Sequence, residues 1–299
     1  MTALHFKAPT ALEYFAALVA DDRGFSLLEA AITVGQDEAP TLDPQTLLNQ
    51  IDALAARLRQ RLPQDAPPLQ RLRTLNRYFY AELGFAGNVN DYYDPRNSLI
   101  HEVLATRRGI PITLALLYVE FAQQAGLTAR GVSFPGHFLV KVRMPRGEVI
   151  VDPFTGQSLS REDLDERLAP YRRQRGLVGD FEAPLGLFLQ AAAPRDVLAR
   201  LLRNLKEVHR TAQDWGRLIA VQQRLVILLP QAWDERRDRG LALAEVGADE
   251  AAAADLAVYL EHCADADDAP AVRERLRALN GDPEPARRPS RQPRLPRLH

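Results

Sequence analysis

His137 and Asp152 are the two residues whose types and spacing point most directly to chemistry. The segment His137-Phe138-Leu139-Val140-Lys141-Val142 alternates in side-chain character as a strand does. It runs into a turn at Met144-Pro145-Arg146-Gly147 and returns through Glu148 to Phe154. Pairing Lys141 with Glu148 sets Leu139 beside Ile150 and His137 beside Asp152 on one face. Phe138, Val140, Val149 and Val151 then share the other face, as a core requires. A carboxylate beside an imidazole fixes its tautomer and supports its charged form, which is half of a nucleophilic triad. The other half is missing, because the single cysteine, Cys263, falls in a helical stretch far along the chain.

Other chemistries find less support. The six histidines are scattered, with no HxxxH or CxxC spacing, so no metal site is expected. No phosphate-binding or dinucleotide glycine pattern occurs, and no cofactor is expected. A formal net charge of -1 over 299 residues gives no reason to expect nucleic acid as a partner. The exception is weak contact through the Arg- and Pro-rich stretch 281–299, which is expected to be disordered. No apolar run is long enough to span a membrane, and the run Tyr14 to Ala20 reads as an amphipathic helix rather than a signal peptide. One cysteine suits a reducing compartment, so a cytoplasmic location is expected.

The elements that must hold the pair follow from periodicity. Apolar residues recur at helical spacing from Ala11 to Arg61, with Asp43 and Pro44 at N-cap and N1 positions, and again from Leu69 to Leu83. Residues 84–98 read as irregular and Leu99 to Thr106 as a short helix. Pro111 to Ala125 is apolar on nearly all sides, which predicts a central buried helix that Pro111 starts and Gly126 stops. Leu127 to Phe134 reads as a strand ahead of the hairpin, and Ser160 with Asp163 as a capping box. Helices followed by sequential strands predict an α+β domain, its antiparallel sheet set against the buried helix. From Arg195 to Asn280 the pattern is helical. A shift of about 34 residues carries Ala220 onto Ala254 and Leu225 onto Tyr259, the period of tetratricopeptide arrays. An unrelated helical bundle remains the alternative reading of those helices. The expected division is 1–190, 191–280 and 281–299.

The runs Arg107 to Leu114, Gly126 to Val132, Gly136-His137-Phe138 and Val151-Asp152-Pro153 resemble the transglutaminase-like (papain-like) superfamily. Asp94-Pro95-Arg96-Asn97-Ser98 and Phe134 to Phe138 resemble, more narrowly, its SirB-type bacterial branch, in which tetratricopeptide-like helices follow the domain. Active superfamily members carry a cysteine at the start of the central helix, fifteen residues before the glycine that ends it. Counting back from Gly126 reaches Pro111, which has no nucleophile. His137 and Asp152 match the remaining triad positions.

The resemblance therefore implies a non-catalytic transglutaminase-like protein, a protein-binding or regulatory module whose partner docks through the C-terminal helices. The alternative is an amide hydrolase or acyltransferase that uses His137 and Asp152 with a nucleophile not yet recognised. Ser98, Ser133 and Thr113 supply hydroxyls for such a role, although Thr113 lies about 200° around the helix from Pro111. Asp94, Arg96, Asn97, Arg107, Arg108 and Thr113 are the expected cleft residues. Asp94 paired with an arginine, fixing its own loop, is the competing structural role.

Overall fold

Prolines and short polar residues start most helices in the computed structural model, which describes residues 9–21, 24–177, 179 and 183–281. Thr10 caps α1 (Ala11–Leu18), and Asp43 caps α3 (Pro44–Arg59) through the Gln45 and Thr46 amides, with α2 (Leu27–Thr33) between them. Pro68 opens α4 (Pro68–Asn76), which passes into a π-helical turn, Arg77–Glu82. Strand β1 (Ala86–Gly87), a 3-10 turn (Pro95–Ser98), α5 (Ile100–Thr106) and β2 (Arg108–Gly109) lead to the central helix α6 (Pro111–Gln124).

Helix α6 is buried from Pro111 to Tyr118 and again at Phe121 and Ala122. Its end is a Schellman motif. The Leu127 amide reaches the Ala122 carbonyl and the Gly126 amide reaches Gln123, both at 2.9 Å. Gly126 takes φ +77°, which a side chain would oppose.

Strands β3 (Ala129–Val132), β4 (Leu139–Met144), β5 (Gly147–Val151) and β6 (Ser158–Leu159) form an antiparallel sheet in that order. Phe138, Val140, Val142 and Val151 face the core that contains α6. Leu139, Ile150 and Val132 face the opposite way, where α7 (Arg161–Gln174) contributes Leu164 and Leu168 and α8 (Leu185–Phe188) contributes Leu185. Helices thus cover the sheet on both sides, and the expected α+β architecture is borne out.

The hairpin register differs by two residues from the pairing expected. Met144 pairs with Gly147 across a two-residue loop, so Lys141 faces Ile150 and Arg143 faces Glu148. The tighter loop adds ladder bonds, and Gly147 takes φ +111° to close it. A slip of two leaves every residue on its expected face. The expected neighbours therefore still meet diagonally, with Lys141 Nζ 3.1 Å from the Glu148 carboxylate.

The described residues separate into two compact units after Pro230. Helices α9 (Pro194–Thr211) and α10 (Trp215–Leu228) belong to the first, although sequence grouped them with the helical repeats. Leu198, Leu201, Leu202 and Leu205 of α9 join the same core as α6. Arg224 of α10, fully buried, makes two 2.7 Å bonds to Asp37 and lies 4.9 Å from the Phe15 ring. The second unit holds α11 (Trp233–Glu245), α12 (Asp249–His262) and α13 (Ala269–Leu279). Gly240 lets α11 approach Leu256, whose side chain a Cβ would meet at 2.9 Å. Arg239 holds Asp255 in a two-pronged bond of 2.6 and 2.7 Å.

The 34-residue period survives as a burial pattern. Leu218, Val221, Gln222 and Leu225 are buried, and so are Ala252, Asp255, Leu256 and Tyr259. Ala220 and Ala254 lie beside that stripe rather than in it. The stretch 282–299, expected to be disordered, lies outside the described residues.

Candidate functional site

His137 is delivered by a turn rather than by the strand expected to hold it. Pro135 and Gly136 occupy the middle of Phe134–His137, the His137 amide bonds the Phe134 carbonyl at 3.1 Å, and Gly136 has φ +68°. Pro followed by a left-handed Gly is the sequence of a type II turn. Asp152 follows the last residue of β5. Its amide bonds Gln157 and its carbonyl accepts from Gly156, both at 2.8 Å, closing a short loop.

The two side chains meet, with His137 Nε2 2.9 Å from Asp152 Oδ1. The same oxygen accepts the Phe154 amide at 3.0 Å, and Oδ2 accepts Arg167 Nη1 at 2.9 Å. Asp152 is almost fully buried, while 23% of the His137 side chain is exposed. Burial alone would raise the carboxyl pKa. The His137 bond and charge, the Arg167 bond and the Phe154 amide together outweigh it and hold the pKa at about 2. Asp152 is therefore a carboxylate at neutral pH, and its bond fixes the orientation of the imidazole. The Phe154 ring stands edge-on to His137 at 6.4 Å.

Arg167 was not anticipated. It lies between Leu164 and Leu168 on the face of α7 that covers Leu139 and Ile150, and that position in an amphipathic pattern was the available signal.

Pro111 begins α6 and is buried. No described residue hydrogen-bonds His137 Nδ1. The three hydroxyls considered as nucleophiles are placed elsewhere. Thr113 Oγ1 donates to the Asn97 and Ile110 carbonyls (2.7 and 3.0 Å) and accepts the Ile110 amide (3.2 Å), so it caps α6. Ser133 Oγ accepts Arg200 Nη1 at 2.7 Å. Ser98 is buried and bonds no described residue through its hydroxyl.

The other expected cleft residues do not converge on His137. Asp94 caps the 3-10 turn and grips the Arg96 guanidinium at 2.6 and 2.9 Å, which is the structural role weighed for it. Asn97 is a staple. Its amide bonds the Asp91 and Tyr92 carbonyls and accepts from Asn88, while its own carbonyl accepts from Thr113. Arg107 and Arg108 turn towards residues 84–85 instead of Asp94. Arg107 lies 4.7 Å from the Phe85 ring, and Arg108 Nη1 bonds the Gly84 carbonyl at 2.7 Å. Arg107 closes α5 with φ +60°, a left-handed reversal that leads into β2.

A backbone tie joins the α6 start to the Asp152 loop. The Gly87 amide bonds the Phe154 carbonyl at 3.0 Å, and the Asn88 amide bonds Gly109 at 3.1 Å. The Phe154 ring sits so close to Gly87 that a Cβ there would meet it at 2.3 Å.

The transglutaminase-like superfamily profile matches residues 45–203, more than half the chain, and a tetratricopeptide-repeat profile matches residues 205–277. A UPF0162 protein of Xylella fastidiosa is 36% identical over 242 residues, covering 81% of this chain and 85% of that protein. The chain belongs to the UPF0162 family, within the transglutaminase-like superfamily. The UPF0162 protein of Vibrio cholerae serotype O1 is 27% identical over 88% of this chain and 95% of its own length. The UPF0162 protein YchA of Escherichia coli K12 is 26% identical over 73% of this chain and 80% of its own. No solved structure matches the chain. The SirB-type resemblance read from the motifs is thus borne out for this UPF0162 chain. Among the described residues no helix is long and apolar enough to cross a membrane, and no group of three metal-ligating side chains occurs.

Proposed function

We propose that this chain is a cytoplasmic, non-catalytic transglutaminase-like protein that works by binding a protein partner. The observation that carries this reading is Pro111, buried at the start of α6 where the resemblance places an active member's cysteine, together with a base that no described hydroxyl or thiol engages. A triad without its attacking group gives a base nothing to activate. The tetratricopeptide match over residues 205–277 supports a binding role, since such arrays present concave surfaces to peptides. The single cysteine, Cys263, unpaired and half-buried, suits a reducing cytoplasm.

The test compares the full chain with its His137→Ala variant on peptide amides and esters, products being followed by mass spectrometry. Equal, background-level turnover is the expected result. Hydrolysis or acyl transfer by the native chain that disappears in His137→Ala would overturn the reading and restore the hydrolase alternative.

A further inference from the structure

The outward stripe of α9 combines a cation without a carboxylate partner and a cavity lined by aromatic and polar side chains. Arg200 Nη1 bonds only Ser133 Oγ (2.7 Å) and the Phe134 carbonyl (3.2 Å), and its guanidinium lies 5.6 Å from the Phe138 ring. Among the described residues no carboxylate pairs with it. Burial lowers its pKa, as expected of a cation with incomplete compensation. A cavity of about 500 Å³ opens beside it, lined also by Ser133, Asn204 and Leu229.

Asn204, one turn along α9, lines that cavity and also a larger one of about 670 Å³. The larger cavity is walled by Tyr92, Tyr93, Ser98, Val208, His209 and Thr211. Tyr93 is 78% exposed, and its ring packs edge-on against that of Tyr92 at 5.3 Å. Ser98 and His209 are each more than nine-tenths buried, and neither side chain makes a hydrogen bond to a described residue. Burial holds the His209 pKa below the ordinary imidazole range, and its Nε2 lies 4.0 Å from Glu38, beyond bonding distance. The rim carboxylates Asp94, Glu207 and Asp214 are matched by Arg96, Arg210 and Arg217, so none of them neutralises Arg200.

We propose that this face of α9 receives an extended peptide segment of a partner protein, its carboxylate on Arg200 and an aromatic ring in the larger cavity. This rests on the binding role proposed above and names its site and ligand class. Arg200 and Val208 lie eight positions apart on the helix, about 12 Å at 1.5 Å per residue. An extended peptide covers that span in roughly three to four residues at about 3.3 Å each. A volume near 670 Å³ accommodates an aromatic side chain with its backbone.

The test titrates the full chain with an acetylated, amidated pentapeptide that has aspartate first, tryptophan last and Gly-Ser-Gly between them. Calorimetry reads the affinity, and mass spectrometry checks the recovered peptide. Replacing the aspartate by asparagine should weaken binding about tenfold, the value of a charge-assisted bond. Arg200→Gln should weaken binding equally, and combining the two changes should add nothing further. Tyr93→Ala, on an exposed ring that leaves the core intact, should weaken the tryptophan peptide and leave its alanine-ended counterpart unchanged. Equal affinity for all peptides, additive losses, or no binding at millimolar peptide would overturn the groove while leaving the absence of turnover intact. A peptide bound as expected but recovered cleaved would overturn the non-catalytic reading and leave the groove standing.

Discussion

Replacing Asp152 by asparagine isolates the charge at the centre of the site while keeping its shape. The carboxylate holds His137, Arg167 and the Phe154 amide at 2.9 to 3.0 Å. These bonds bring its pKa from the ordinary 3.8 to about 2. Each pH unit between those values is worth about 1.4 kcal/mol of preference for the charged form, so the site contributes about 2 kcal/mol at neutral pH. Because the folded value lies below the unfolded one, this stability is present above about pH 4 and fades as the pH falls towards 2. Linkage puts the remainder at pH 3 at about 1 kcal/mol. Urea unfolding of native chain and Asp152→Asn at pH 7 and pH 3, followed by circular dichroism, reads both numbers. The expected gap is about 2 kcal/mol at pH 7, shrinking to about half at pH 3. A gap of equal size at both values would assign the loss to packing, and no gap at pH 7 would refute the three-bond account.

Other perturbations test the surrounding framework. Asp37→Ala strands the fully buried Arg224 guanidinium and should cost about 3 kcal/mol in the same urea assay. Thr113→Val keeps the shape but removes the bonds that cap α6, for a loss of about 1 to 2 kcal/mol by thermal unfolding. Gly87→Ala drives a methyl into the Phe154 ring and should cost about 1 to 3 kcal/mol, with the ring displaced from His137 in aromatic proton spectra. Pro111→Cys reports on access to the helix start, where buried Pro111 now sits. The expected thiol alkylates slowly in the folded chain and at the free-thiol rate after unfolding. Fast alkylation of the folded chain would show an open cleft.

Side-chain alternation was enough to read the two faces of the hairpin, whereas His137 meets Asp152 from a turn and not through the strand pairing that set them together. It was not enough to read the register, because a slip of two leaves alternation unchanged and only loop geometry distinguishes the pairings. The central helix was legible at both ends, since Pro111 and Gly126 act locally. Arg107 and Arg108 were not. Their direction depends on a left-handed residue at the end of α5, a conformation that a non-glycine residue seldom adopts. The grouping of α9 with α6 was equally hidden, because an apolar helical stripe records that a partner exists and not which partner it is. The 34-residue period was legible through Leu225 and Tyr259, whereas Ala220 and Ala254 matched in identity without sharing the buried role.

The tie at Gly87 has a consequence for the order in which the chain refolds. Two amides, those of Gly87 and Asn88, reach Phe154 and Gly109, which lie sixty-seven and twenty-one positions further along the chain. Closing such spans carries an entropic penalty that local helices escape, so helix signals should appear early and these two amides should gain protection late. Pulse-labelled deuterium exchange would register them among the last to be shielded, after Phe121 and Ala122 in the middle of the central rod. Until that moment the imidazole and its carboxylate are held by the sheet, its loops and α7, without the tie to the start of the central helix.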